Sequence, residues 1–254
     1  MKSKLSIVIA VVLLLSLVGW LCNTIKDRSS TLIESDTINH KDPNTSTGND
    51  LQQIDFSKIE KPNPLVQEFN GCPPEGDGGD PKLNILKNRI DESDYIPIPF
   101  ETLINLTWPI ELEKKNRKFW SKENTKEIAK YEGSPIVVEG YLVKAKKSGS
   151  ESCNCHGALD SDKDFHVWLT QNQDDDRTKS IVIEPTPRVK ANKPNWTLSN
   201  IGHLILDKTQ VRISGWLLLD PEHPDEIGKT RGSIWEIHPV MKIEYKIGNG
   251  WKEL

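Results

Sequence analysis

PIVVEGYLVKAK, residues 135–146, decides how the rest of the chain is read. β-Branched residues fill its first half, apolar and polar positions then alternate, and a glycine stands in the middle. Such a run is a strand, and a glycine inside it marks a bend where another backbone comes close. QVRISGWLLLD, residues 210–220, repeats the pattern with its own central glycine. DFHVWLT (164–170) alternates at period two, and SIVIE (180–184) is a short apolar run. SIWEIHPVMKIEYK (233–246) is a longer strand in which Pro239 marks a break or bulge. NWTLSNIGHLIL (195–206) carries its apolar residues at helical spacing. From Ser134 onward the expected order is β-β-β-α-β-β.

Three strands, one helix and two strands is the order of the OB-fold, a five-stranded barrel that closes over its helix. The expectation is a mainly-β protein with an OB-fold-like barrel at 134–254. The phrases ESCNC, DFHVWL, EPTPR, ISGWLLLDPEHP and WEIHPV span roughly Cys72 to Glu244. They also resemble a group of uncharacterised bacterial membrane-anchored or exported proteins, a resemblance that implies no activity. The fold alone defines none either, because it hosts many unrelated modules.

Upstream, residues 70–133 read as an irregular segment with short helices that packs on the barrel. Asp80 and Pro81 open one helix through Leu83, Leu86 and Lys87. Ser121 caps a second, Lys122–Tyr131, which Gly133 ends. Ile96–Pro99 and Leu103–Trp108 read as extended. Residues 23–69 are rich in Asp, Asn, Ser, Thr and Lys and form the expected disordered linker. At the start, Lys2 and Lys4 precede Leu5–Cys22, an uncharged apolar run close to the roughly 20 residues that span a bilayer. Residues 1–22 are therefore expected to be a transmembrane anchor, with a cleaved signal peptide as the rival. The short lysine-bearing leader would stay in the cytoplasm, placing a single-pass protein's C-terminal domain outside it.

Charge narrows the partners. Residues 134–254 hold 16 Lys and Arg against 17 Asp and Glu; residues 23–133 hold 15 against 20. Neither part is the basic body that grips nucleic acid through its phosphates, so an oligosaccharide or a protein is the favoured ligand.

Period-two alternation assigns faces. Ile136, Val138, Leu142, Val167, Leu169, Val211, Ile213, Leu217 and Leu219 belong to the core. The opposite face gathers Tyr141, His166, Trp168, Arg212, Trp216, Glu236 and His238, together with Glu139 and Asp164. Aromatic plates among hydrogen-bonding groups are what such barrels use to hold bases or sugar rings. The competing reading is that residues 72–133 pack on this face and cover it.

Cys153, Cys155, His156 and His166 are the candidate metal ligands, since thiolates beside imidazole suit zinc or copper. Outside the cytoplasm thiols oxidise. Cys72 then bridges Cys153 or Cys155, with Cys72–Cys153 as the candidate pair. No nucleophile or Walker-type motif stands beside the histidines, and no catalytic residue is assigned. The leading reading is a non-enzymatic, membrane-anchored binding module without a cofactor. The alternative is a metal-binding protein or metal-dependent hydrolase.

Overall fold

The computed structural model describes residues 54–254. The expected anchor at 1–22 and the linker up to residue 53 lie outside the described residues. Among the described residues no helix is long and apolar enough to cross a membrane.

Seven strands form one sheet: β1 (Ile96–Pro97), β2 (Pro135–Lys147), β3 (Phe165–Thr170), β4 (Ile181–Ile183), β5 (Gln210–Leu219), β6 (Trp235–Ile247) and β7 (Gly250–Glu253). β2 pairs antiparallel with β3, and β3 with β4. β4 runs parallel to β6, β6 antiparallel to β5, and β5 antiparallel to β2. The ring therefore closes as a five-stranded barrel, consistent with an OB-fold-like domain. β1 adds in parallel beside the start of β2, and β7 folds back on the end of β6. The five strand cores expected from the alternation are these barrel strands to within two residues at either end.

The glycines make closure possible. A Cβ at Gly140 would stand 2.3 Å from the Thr170 carbonyl oxygen, and one at Gly215 would stand 2.4 Å from that of Pro239. No side chain fits where two backbones approach so closely.

Among the described residues, five short helices decorate the sheet. α1 (Pro81–Lys87) starts where the Asp80 carboxylate accepts the Lys82 and Leu83 amides. α2 (Phe100–Ile104) falls partly within the stretch expected to be extended. Its Phe100 and Leu103 are buried in the core, and that packing outweighs the local preference. α3 (Lys122–Ile128) is capped by Ser121 as expected. α4 (Pro187–Lys190) follows β4, and α5 (Leu198–Leu206) lies between β4 and β5, burying Ile201 and Leu204.

The expected linker ends earlier than its composition suggested. Phe56 is buried, and its ring meets Tyr131 edge-on at 5.3 Å. Val66 bridges Arg89, and Phe69 bridges Cys72. Residues 54–69 are thus part of the packed domain.

The disulfide joins Cys72 to Cys155, 83 residues apart, and Cys153 is the buried free thiol. This corrects the Cys72–Cys153 pairing. Ser152–Asn154 forms a 3₁₀ turn, in which residues two apart point in different directions. Cys153 turns inward beside Glu151, with its Sγ 3.5 Å from Oε2, and Cys155 is left to face Cys72. Arg188 reinforces the tie, donating to the carbonyls of Cys72, Pro73 and Cys153 and to the side chains of Asn88 and Asn154. A cross-link over so long a loop restricts the unfolded chain. Cys155→Ser should therefore cost about 2–4 kcal/mol in urea unfolding. A loss below ~1 kcal/mol would show that Arg188 already holds the loop by itself.

Candidate functional site

Five parts of the chain converge on one cleft of about 490 Å³. The β2–β3 loop supplies Glu151 and Cys153, the ends of β3 and β4 supply His166 and Glu184, and the β5–β6 loop supplies Asp220, Glu222 and His223. Lys87, the last residue of α1, enters from the side. The placement follows from local structure. His166 alternates with the core residue Val167 on β3. Glu184 follows β4 and is fixed by its amide, which donates to the Ile237 carbonyl at 3.0 Å. Asp220 ends β5, and its carboxylate accepts the Glu222 amide at 2.9 Å.

The side chains form a buried charged network and, apart from it, one further ion pair. His166 Nε2 lies 2.9 Å from Glu184 Oε1 and 3.7 Å from Glu151 Oε1. Behind them, His238 Nδ1 is 3.4 Å from Glu184 Oε2 and 3.6 Å from Glu236 Oε2. Arg231 closes the rear by donating to Glu236 at 2.5 Å. On the other wall, His223 Nδ1 is 2.9 Å from Asp220 Oδ2.

Burial and neighbours set the protonation states. Burial alone would make His166 a weaker base, but Glu184, with Glu236 and Glu151 beyond it, raises its pKa to about 9. Burial pushes Glu184 up, and His166, His238 and Lys87 override this, bringing it to about 2. Asp164 behind the loop is driven up to about 7 by burial and by Glu151. Burial likewise pushes the Cys153 thiol well above its ordinary range. Burial opposes the charge on Lys87, yet Asp220 and its acidic neighbours keep it protonated.

The network is not saturated. Glu184 Oε2, Glu236 Oε2, Asp164 Oδ2 and both His238 nitrogens are buried without a hydrogen-bond partner among the described residues. Buried polar atoms left this way cost stability, and such groups concentrate where a site is tuned for function.

His223 provides a test. The Asp220 carboxylate, which accepts its hydrogen bond, raises the His223 pKa against the effect of burial. A raised folded-state pKa contributes stability that is present below ~6.5 and lost as the pH rises above it. His223→Gln should therefore flatten the fall in melting temperature between about pH 6 and about pH 9. An unchanged slope would show that this pair does not couple protonation to folding.

The residues expected on one recognition face are dispersed. Trp168 and Trp216 are 3% and 1% exposed, so neither offers a free plate, a correction to the aromatic surface. Trp216 is covered by the Arg89–Tyr95 stretch. Arg89 Cζ stands 3.2 Å from the ring centroid, Tyr95 meets the indole edge-on, and the Asp91 carbonyl accepts its N–H at 3.2 Å. Trp168 packs beside Arg177 and Lys146. Glu236 and His238 are buried behind the cleft, and Tyr141 is half-buried opposite Thr170. Arg212 pairs with Glu244 in a separate groove of about 700 Å³ that Tyr95, Ile98 and Phe100 also line.

The expected metal set does not assemble either. Cys155 is committed to the disulfide, and half-exposed His156 faces Asp77 at 3.4 Å. Of the four, His166 and the buried Cys153, whose Sγ donates to Glu151, belong to the network around the cleft. Sequence reasoning gave Lys87, Arg188 and Arg231 no role in a site, although Lys87 stood in the first expected helix and Arg188 in the phrase EPTPR, because nothing local marks a helix lysine or an arginine as buried. Glu151 and Glu184 stood inside the quoted phrases ESCNC and EPTPR, but only tertiary structure places them beside His166.

Comparison with protein-family models, with curated proteins and with solved structures gives no match.

Proposed function

We propose that this chain is a membrane-tethered OB-fold binding module that seats an oligosaccharide in the cleft between its β2–β3 and β5–β6 loops. The observation that carries the reading is the convergence of those two loops and the ends of β3 and β4 on one charged cleft. Barrels of this order take ligands on that face and between those loops. A volume of about 490 Å³ falls in the ordinary range for small-ligand sites. Recognition runs through charge-assisted hydrogen bonds, with carboxylates accepting from sugar hydroxyls and Lys87 and the imidazoles donating to them. The hydrophobic N-terminal run supports the tether, and the balanced charge favours a neutral ligand over a polyanion.

A glycan array probed with the full chain tests the reading. The parent protein should retain at least one class of oligosaccharide, and Glu222→Gln should abolish retention with little change in melting temperature. Retention of nothing, or equal retention by both, would overturn it.

A further inference from the structure

Glu151, His166 and Glu184 present a carboxylate oxygen, an imidazole nitrogen and a second carboxylate oxygen within 4.8 Å of one another. We propose that these three side chains bind a divalent transition-metal ion of the zinc or manganese type. It rests on the reading of this cleft as the ligand seat, but it requires no sugar.

The geometry suits an ion. Two donors ~2.1 Å from one metal stand ~3.0–3.4 Å apart when they are neighbours in its coordination sphere. The observed separations from His166 Nε2, 2.9 Å to Glu184 and 3.7 Å to Glu151, straddle that interval. Only a few tenths of an ångström of movement separates the ion pair from a chelating arrangement.

A second observation points the same way. Glu184 is 2% exposed and lines the cleft; its Oε1 faces His166, while its Oε2 makes no hydrogen bond among the described residues and has His238 Nδ1 3.4 Å behind it. A cation drawn to that carboxylate would compensate it. Four carboxylates, those of Glu151, Glu184, Asp220 and Glu222, line the cleft with one lysine, Lys87, and the imidazoles of His156, His166 and His223, and an ion bound at His166 would take the place of that ring's proton.

Donor chemistry selects the kind of ion. An imidazole is foreign to calcium and magnesium sites, which are built from oxygen. With Cys155 in a disulfide and two of the three donors oxygen, a soft monovalent copper site is also disfavoured. Three protein ligands leave at least one position open, the arrangement of reactive rather than structural zinc. That position faces outward, because the Glu151 and His166 side chains are 21% and 16% exposed while Glu184 lies on the floor. Support is rigid: His166 sits on a barrel strand, and the Glu184 amide is bonded to β6.

Calorimetric titration of the full chain, stripped with chelator, with zinc alone and with manganese alone tests the site. One ion per chain is expected. Affinity should fall at least ~10-fold in His166→Gln, Glu184→Gln and Glu151→Gln, while His203→Gln, which removes an exposed imidazole on α5, should leave it unchanged. Because Glu184 is buried, Glu151→Gln is the decisive variant: its metal-free melting temperature should match the parent while its affinity drops. Absence of binding, or binding indifferent to all three substitutions, would overturn the site. Glycan retention without metal binding would overturn it too, yet leave the ligand seat standing. Metal binding without glycan retention would support the site and sink the oligosaccharide reading.

Discussion

Trp216→Ala should destabilise the domain by about 3–5 kcal/mol, the range for truncating a large aromatic in a closed interior. The indole is 1% exposed on β5, and three contacts from one distant segment depend on it. The Arg89 guanidinium sits over its ring, Tyr95 meets it edge-on, and its N–H donates to the Asp91 carbonyl. Removal leaves a cavity and takes away the surface on which Arg89–Tyr95 rests. Arg89, itself 1% exposed, keeps its Asp91 partner but loses its cation–π contact. Trp216→Phe keeps an aromatic face for Arg89 and Tyr95 but forfeits the N–H bond and part of the indole volume, so it should cost less, about 1–3 kcal/mol. Chemical denaturation of the two variants decides the matter. Near-parent stability for the alanine variant would mean that the covering segment does not rest on this ring and that the indole is available as a recognition plate.

Glu236→Ala should cost a similar amount, about 3–5 kcal/mol, for a different reason. Glu236 is fully buried on β6, opposite Leu218 of β5 and Val182 of β4, and it neutralises Arg231, which is 2% exposed. Removing the carboxylate strands a guanidinium whose other partner, Glu226 at 3.3 Å, is on the surface side of the loop. Deleting both charges tests the mechanism. Arg231→Met combined with Glu236→Leu should recover most of the loss, because a buried pair contributes little net stability while an uncompensated buried charge is expensive. A double variant no better than the single one would show that Glu236 acts through His238 and the cleft network instead.

Much of the barrel was legible because strand alternation is a local property. Ile136, Val138 and Leu142 fall on one face whatever the rest of the chain does, and they do reach the core. The same holds for caps, where Asp80 and Ser121 bond amides two or three residues away. The strand glycines at 140 and 215 announced close backbone approach before any partner strand was known.

Alternation divides a strand into two faces but does not say whether the second face meets water. Alternation set Trp168 and Trp216 apart from the apolar positions, yet both are buried and Trp216 joins the hydrophobic core, with cover that comes from parts of the chain remote in sequence. For Trp216, the cover is a stretch more than 120 residues upstream, joined by the Asp91 hydrogen bond. The cysteines show the same division. Composition made a disulfide expected, while the choice of Cys155 over Cys153 was made by the direction each takes in one 3₁₀ turn.

Strand order, core-facing residues and helix caps could be read from the chain alone, because each depends on a few neighbouring residues; for the cysteines it left a bridge from Cys72 and a metal site both open. The folded arrangement settles which outward face is covered, that Cys72 pairs and with which cysteine, and that Lys87, Glu151, His166, Glu184 and Asp220 share one cleft. Those outcomes depend on charges and side chains separated by scores of residues, whose interactions exist only once the barrel has closed and fixed the distances between them.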